Sequence, residues 1–317
     1  MPVIRESLSR VVAVISRKGG VGKTSITTNV GVLAARDEDI RVLIVSIDPQ
    51  NNIAEDLGFA QAGIETDDGA NLAAAIRGRA QLKPLKDVRP RVDVIPGGEE
   101  LELLSAELRV ELERGEDVSE ALALALQEIA DDYDLVLLDC SPGLAGLQHL
   151  ALVAARWLII PTAADRSSTN GIVKLAENVA SAAQWNPDLA LLGVVIFDVP
   201  WNATRMKDDT AREIAASLGH DAPILTTSIR TAKAAARDGR KHGQVMHELA
   251  ETGDKLKVER LQVLAARRRG QEAASASPAL PEGVASSARR AAADYDELTT
   301  EIINALSAAE EEAGAIA

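Results

Sequence analysis

The sequence predicts an α/β protein with a mostly parallel, twisted sheet covered by helices on both faces. Three observations carry that expectation. Short, β-branched, nearly all-apolar runs recur along the chain, as strands buried on both faces require. Between them lie stretches with helical spacing, long enough for right-handed crossovers between parallel strands. The chain has 317 residues, 46% hydrophobic and 26% charged, which is enough to bury a large core.

Taken in order, residues 10–16 (R-V-V-A-V-I-S) form the first expected strand. A glycine cluster follows, then a helical stretch to about residue 36. The second strand is 41–47 (R-V-L-I-V-S-I). Further strands are expected at 92–95, 135–138, 157–160 and 191–197, and helices at 118–130, 169–183 and 205–218. The texture changes near residue 252. Residues 255–269 read as a charged helix ending in three arginines and a glycine. Residues 271–287, rich in Ala, Ser and Pro without periodicity, read as a flexible linker. A final helix is expected at about 289–312, with seven acidic and no basic residues after Arg290, and a disordered tail at 313–317.

Composition excludes several classes. A single cysteine, Cys140, rules out a disulfide scaffold or a multi-thiolate metal site and suits a reducing cytosol. No apolar run approaches the ~20 residues of a membrane span, and residues 1–10 lack a signal-peptide core. Three Trp, two Tyr and two Phe are too few for a base-stacking platform. The formal net charge of -14 argues against coating nucleic acid with the whole surface, but leaves room for a local basic patch.

Residues 18–25 read K-G-G-V-G-K-T-S, after the first strand and before the first helix. Gly19, Gly20, Val21 and Gly22 let backbone N–H groups turn towards an anion, and the helix N-terminus adds its dipole. Lys23 is placed to reach terminal phosphates, the Thr24 hydroxyl to ligate Mg2+, and Ser25 completes the loop. A glycine-rich turn without a ligand is the alternative reading. The general pattern G-x-x-x-x-G-K-[ST] is met except at its first glycine, where Arg17 stands, with a second lysine, Lys18, beside it.

That departure resembles the deviant Walker A motif, K-G-G-x-G-K-[ST], of the ParA/MinD ATPases, and specifically of ParA/Soj-type members that partition plasmids and chromosomes. The resemblance implies a P-loop NTPase fold, ATP and Mg2+ as cofactors, and a nucleotide-sandwich homodimer in which Lys18 reaches the partner's phosphates. Residues 42–52 (V-L-I-V-S-I-D-P-Q-N-N) look like the family's second motif. It implies that Asp48 orients the attacking water and contacts the metal through water, although Ser46 stands where the family often has another aspartate. A carboxylate at the C-terminal end of a parallel strand also points into the crevice where such folds bind ligands. A turn-forming Asp-Pro is the plainer reading. Residues 135–143 (L-V-L-L-D-C-S-P-G) look like Walker B and deliver Asp139 to hold Mg2+, directly or through water. Cys140 beside it reads as a small packed residue. Family adenine contacts fall near Phe197 and Arg230, for which a core Phe and a surface Arg are equally good readings. The resemblance covers about residues 10–251 and resumes near 291–306. It implies one ATPase domain (1–251 with 291–312) interrupted by an insertion at 252–290.

The charge is segregated. Between residues 200 and 270 lie fourteen basic and nine acidic residues, a net +5, so the remainder carries −19. In ParA-type proteins this half holds nonspecific duplex DNA through phosphates. Arg230, Lys233, Arg237, Arg240 and Lys241 are the tightest cluster, with Arg205 and Lys207 next; a solvated basic face is the alternative. The resemblance further implies slow ATP hydrolysis stimulated by a ParB-like partner, in a cytoplasmic, nucleoid-associated protein. A MinD-like membrane-positioning protein would need a basic amphipathic C-terminus, and this one is acidic. A metabolic P-loop enzyme would need a substrate constellation that the sequence does not display.

Overall fold

The computed structural model describes residues 2–114, 117–164, 166–200, 202–219, 221–269 and 282–316. The chain lays down β1 (Val11–Val14), α1 (Lys23–Ala34), β2 (Val42–Ile47), α2 (Ile53–Asp56), α3 (Ala70–Ile76), β3 (Leu85–Arg89), β4 (Val92–Ile95) and α4 (Glu100–Glu113). It continues with α5 (Ala121–Leu126), β5 (Leu135–Cys140), α6 (Ala145–Ala154), β6 (Trp157–Ala163), α7 (Arg166–Ala182), β7 (Ala190–Val199) and α8 (Thr204–Leu218). Last come β8 (Ile224–Arg230), α9 (Lys233–His242), α10 (Met246–Arg268) and α11 (Glu282–Ile316).

The strands form one sheet in the order β3-β4-β2-β5-β1-β6-β7-β8. Every neighbouring pair is parallel except β3 with β4. The central strands explain their own composition. All four residues of β1 are fully buried; Val11 and Ala13 enter one core while Val12 and Val14 enter the other. The first core lies under α3 to α8, and the second under α1, α9, α10 and α11. A strand with a packed layer on each side has no polar face to show, hence the unbroken apolar runs.

Several expectations need correction. The helix expected at 118–130 is only Ala121–Leu126, followed by a 3-10 turn at Ala130–Asp132. The charged helix expected at 255–269 is the outer half of α10. Met246, Leu249 and Ala250 bury the start of that helix, so it begins nine residues earlier and ends at Arg268. The final helix begins at Glu282, because Val284, Ala288 and Ala291 pack into the second core. Residues 282–287 of the expected linker are therefore helical, while 270–281 lie outside the described residues. The same helix runs through Ile316, over most of the expected tail, as its run of Ala and Glu favours; Ala317 lies outside the described residues.

Candidate functional site

The site forms where the central strands end. Residues β1, β2 and β5 release their chains at adjacent points of the sheet edge, where ligands bind in open α/β folds. The loop after β1 turns through two left-handed glycines, Gly20 at φ 75° and Gly22 at φ 84°. Gly22 is required twice over. Besides its backbone, a Cβ there would lie 2.2 Å from the Phe197 ring. Among the described residues no N-cap side chain bonds the start of α1, which begins directly at Lys23, so the helix N-terminus adjoins the glycine loop.

Lys23 is almost wholly buried and its ammonium donates to the Lys18 carbonyl at 3.1 Å. Burial pushes its pKa down, opposed chiefly by the neighbouring Asp139 and Asp48 carboxyl groups. Thr24 Oγ1 donates to Asp139 Oδ2 at 2.8 Å. The other oxygen, Asp139 Oδ1, is buried without a hydrogen-bond partner among the described residues. Burial pushes the Asp139 carboxyl up to about 7, with Asp48 and Asp56 adding to the rise and the Thr24 hydrogen bond and Lys23 opposing it. A carboxylate so placed wants a cation, and a neighbouring hydroxyl completes a hard-ligand set of the kind that suits Mg2+. The residues present fit the metal that the motif implies.

Asp48 is 6% exposed, one position beyond the end of β2. Its Oδ1 accepts the Gln50 N–H at 3.0 Å, a local turn that fixes the carboxylate's direction. It borders a cavity of about 480 Å³ that also takes in Gly19, Lys23, Thr24 and Pro142. A second cavity, of about 640 Å³, lies on the other side of Gly20, Gly22 and Ser25 and has an apolar wall of Phe197, Ile229, Ala236, Met246 and Tyr295. Arg240 borders both. A polar trough for phosphates next to an apolar slot is the shape of a nucleotide.

The structure brings the phosphate loop, Asp48, Asp139, Phe197 and Arg230 together. It also puts the whole basic cluster on this cavity: Arg230, Lys233, Arg237, Arg240 and Lys241 all border the apolar slot. Two of them are committed to buried carboxylates. Arg230 Nε lies 2.9 Å from both oxygens of Asp294, and Arg240 Nε donates to Asp56 Oδ1 at 2.8 Å. Lys233 pairs with Asp198 at 3.1 Å, and Lys207 donates to the Thr226 carbonyl. Arg205, Arg237 and Lys241 are exposed. Cys140 is buried, and burial pushes its thiol pKa up, away from nucleophilic use.

Sequence reasoning missed Asp56, Asp294 and Tyr295. Tyr295 is 2% exposed and borders the slot together with Ser25. No local pattern marks these three; α2 and α11 carry them in from far along the chain.

Comparison with known proteins agrees with the fold and with the family that the motifs resemble. Residues 9–191 match the family AAA_31, described as an AAA domain. The chromosome partitioning protein ParA of Caulobacter vibrioides is 30% identical over 238 residues, 71% of this chain and 83% of that protein. Among solved structures, the ATP complex of McdA from Cyanothece aligns with a TM-score of 0.64 and 20% identity, over 84% of this chain and 98% of that one. Cobyrinic acid a,c-diamide synthase from Mycobacterium smegmatis, with bound ADP and magnesium, aligns with a TM-score of 0.59 and 23% identity, over 85% and 99%. Both likenesses are of fold.

Proposed function

The chain belongs to the ParA family of partitioning ATPases, and on that premise we propose that it binds ATP with Mg2+, dimerises around the nucleotides, holds duplex DNA without sequence preference, and hydrolyses ATP when a partner protein stimulates it. One observation carries the reading: the Thr24–Asp139 pair, with its unpartnered oxygen, sits between the glycine cradle and Asp48. The backbone N–H groups of residues 19–25 and Lys23 hold the phosphates, Thr24 holds Mg2+ directly, and Asp139 holds it through water. Mg2+, when bound, supplies positive charge that offsets the charge developing on the phosphates. Asp48, held by Gln50, orients the attacking water as a hydrogen-bond acceptor. Lys18 serves the partner's phosphates across the dimer. Phe197, Ile229 and Tyr295 enclose the base, and Arg230, fixed by Asp294, borders it.

The DNA contacts follow from what the basic residues are already doing. Arg205, Lys207, Lys233, Arg237 and Lys241 are the proposed phosphate contacts, whereas Arg230 and Arg240 are held at the nucleotide slot by Asp294 and Asp56. Binding through phosphates weakens steeply with salt. Residues 1–251 with 291–312 form the proposed ATPase unit, and 252–290 its insertion, whose ends fall inside α10 and α11. Among the described residues no helix is long and apolar enough to cross a membrane. A cytoplasmic, nucleoid-associated protein with a ParB-like partner is the proposed setting.

The test uses Asp48→Ala. The variant should bind ATP and dimerise but not turn over, and normal turnover refutes the mechanism. An ATP-dependent mobility shift of nonspecific duplex at low salt, lost at high salt, tests the DNA-binding part; no shift at low salt refutes it.

A further inference from the structure

Ser46 and Asp139 are register partners on β2 and β5, so their side chains leave the same face of the sheet. That is the face covered by α1: Thr24 reaches Asp139 there, and Ile44, two residues before Ser46, lies against Gly31. Ser46 Oγ and Asp139 Oδ1 are both buried, and neither has a hydrogen-bond partner among the described residues. Buried polar atoms are rarely left unpaired, and two neighbours on one face can be satisfied together by a single water. The far side is closed by backbone. A Cβ on Gly97 would lie 3.0 Å from Ser46 Oγ and 2.4 Å from the Asp48 carbonyl oxygen, so only glycine lets the chain after β4 cross so closely.

We propose that Ser46 is a positioning residue of the Mg2+ pocket: through one buried water its hydroxyl holds the free Oδ1 of Asp139 and fixes the direction in which that carboxylate meets the ion. The inference rests on Asp139 being the group that holds Mg2+. It also gives Ser46 a role of its own. An aspartate there would be a third buried anion beside Asp139 and Asp48, repelled by both; a hydroxyl supplies the hydrogen bond without the charge.

The experiment is a Mg2+ titration of the complex with a fluorescent, non-hydrolysable ATP analogue, comparing wild type with Ser46→Ala. Loss of one hydrogen bond to a charged group should raise the half-saturating Mg2+ concentration about tenfold, while the analogue's affinity in EDTA stays unchanged. Equal Mg2+ requirements overturn the inference. So does an equal loss of affinity with and without Mg2+, which would make Ser46 a packing residue only. A wild-type chain that binds the analogue but ignores Mg2+ overturns the Asp139 reading instead, and one that binds no analogue overturns the nucleotide reading.

Discussion

Asp139→Asn should stabilise the ligand-free protein, and the gain should depend on pH. Asp139 is 0% exposed and its carboxyl is pushed up to about 7 from the ordinary 3.8. Below the unfolded value both states are protonated and the group costs nothing. Between the two values the unfolded chain ionises while the native carboxyl keeps its proton, so the native state binds more protons and stability falls as pH rises. Above about 7 both states are ionised and the loss levels off. A shift of about three units corresponds to roughly 4 kcal/mol. An amide removes that cost, keeps an oxygen for Thr24, and points a donor towards Ser46. Urea unfolding in EDTA, for wild type and variant, should show a difference about 3 kcal/mol larger at pH 8 than at pH 5. The same variant should require much more Mg2+ for nucleotide binding. A stability difference that is flat with pH, or grows on acidification, refutes the assignment of Asp139 as a buried acid awaiting a cation.

Gly22→Ala should abolish nucleotide binding, because the new methyl meets the Phe197 ring and the left-handed backbone at once; equilibrium dialysis checks it, and Phe197→Ala should not rescue it fully, since the backbone strain remains. Arg240→Ala leaves Asp56 buried without its cation and should lower stability by about 2 kcal/mol, discounted for the partial exposure of Arg240. The pair Asp56→Asn with Arg240→Ala should recover most of that loss in the same unfolding assay. Cys140 should resist thiol reagents in the folded protein and react only on unfolding, because burial holds its thiol protonated; rapid labelling under native conditions contradicts the packing described for β5.

The parts of the fold legible in the sequence are those buried on both sides. The strands β1, β2, β5, β6 and β7 read as apolar runs because each has a helix layer above and below. The edge strand β3 did not: Leu85–Arg89 is half exposed, and Lys86 is held there by Asp93 and Tyr133, partners that adjoin it only after folding. Helix α4 is hard to read in the sequence although Leu101, Leu104 and Leu108 repeat at helical spacing and all are buried, because glutamates between them hide the stripe. The phosphate loop was legible because its chemistry is contiguous. The apolar slot was not, since its walls come from β7, β8, α9, α10 and α11 and no short segment holds more than one or two of them. Charge counting found the basic cluster on α9 but not its setting. A count sees Arg230 and Arg240; it does not see Asp294 and Asp56 arriving from other helices to neutralise them.

Those arrivals make α11 more than a cover for the sheet. Asp294 and Tyr295 are successive residues, yet one holds Arg230 at the end of β8 and the other shares the slot wall with Ser25 at the start of α1. Two turns further on, Glu301 accepts the backbone N–H groups of Thr226 and Thr227 at 2.6 and 2.9 Å. These are edge-strand donors that would otherwise face solvent, and capping them blocks further strand addition at that side of the sheet. The helix is thus held by side-chain hydrogen bonds at two points, one of which belongs to the nucleotide slot. It cannot slide without moving Asp294 off Arg230 or Glu301 off the β8 edge. Its first turns, Val284 to Ala291, pack into the second core and link to α10 through the Arg289–Asp254 ion pair at 3.2 Å. The inner half of α10 and the nucleotide slot therefore contact the same helix, α11.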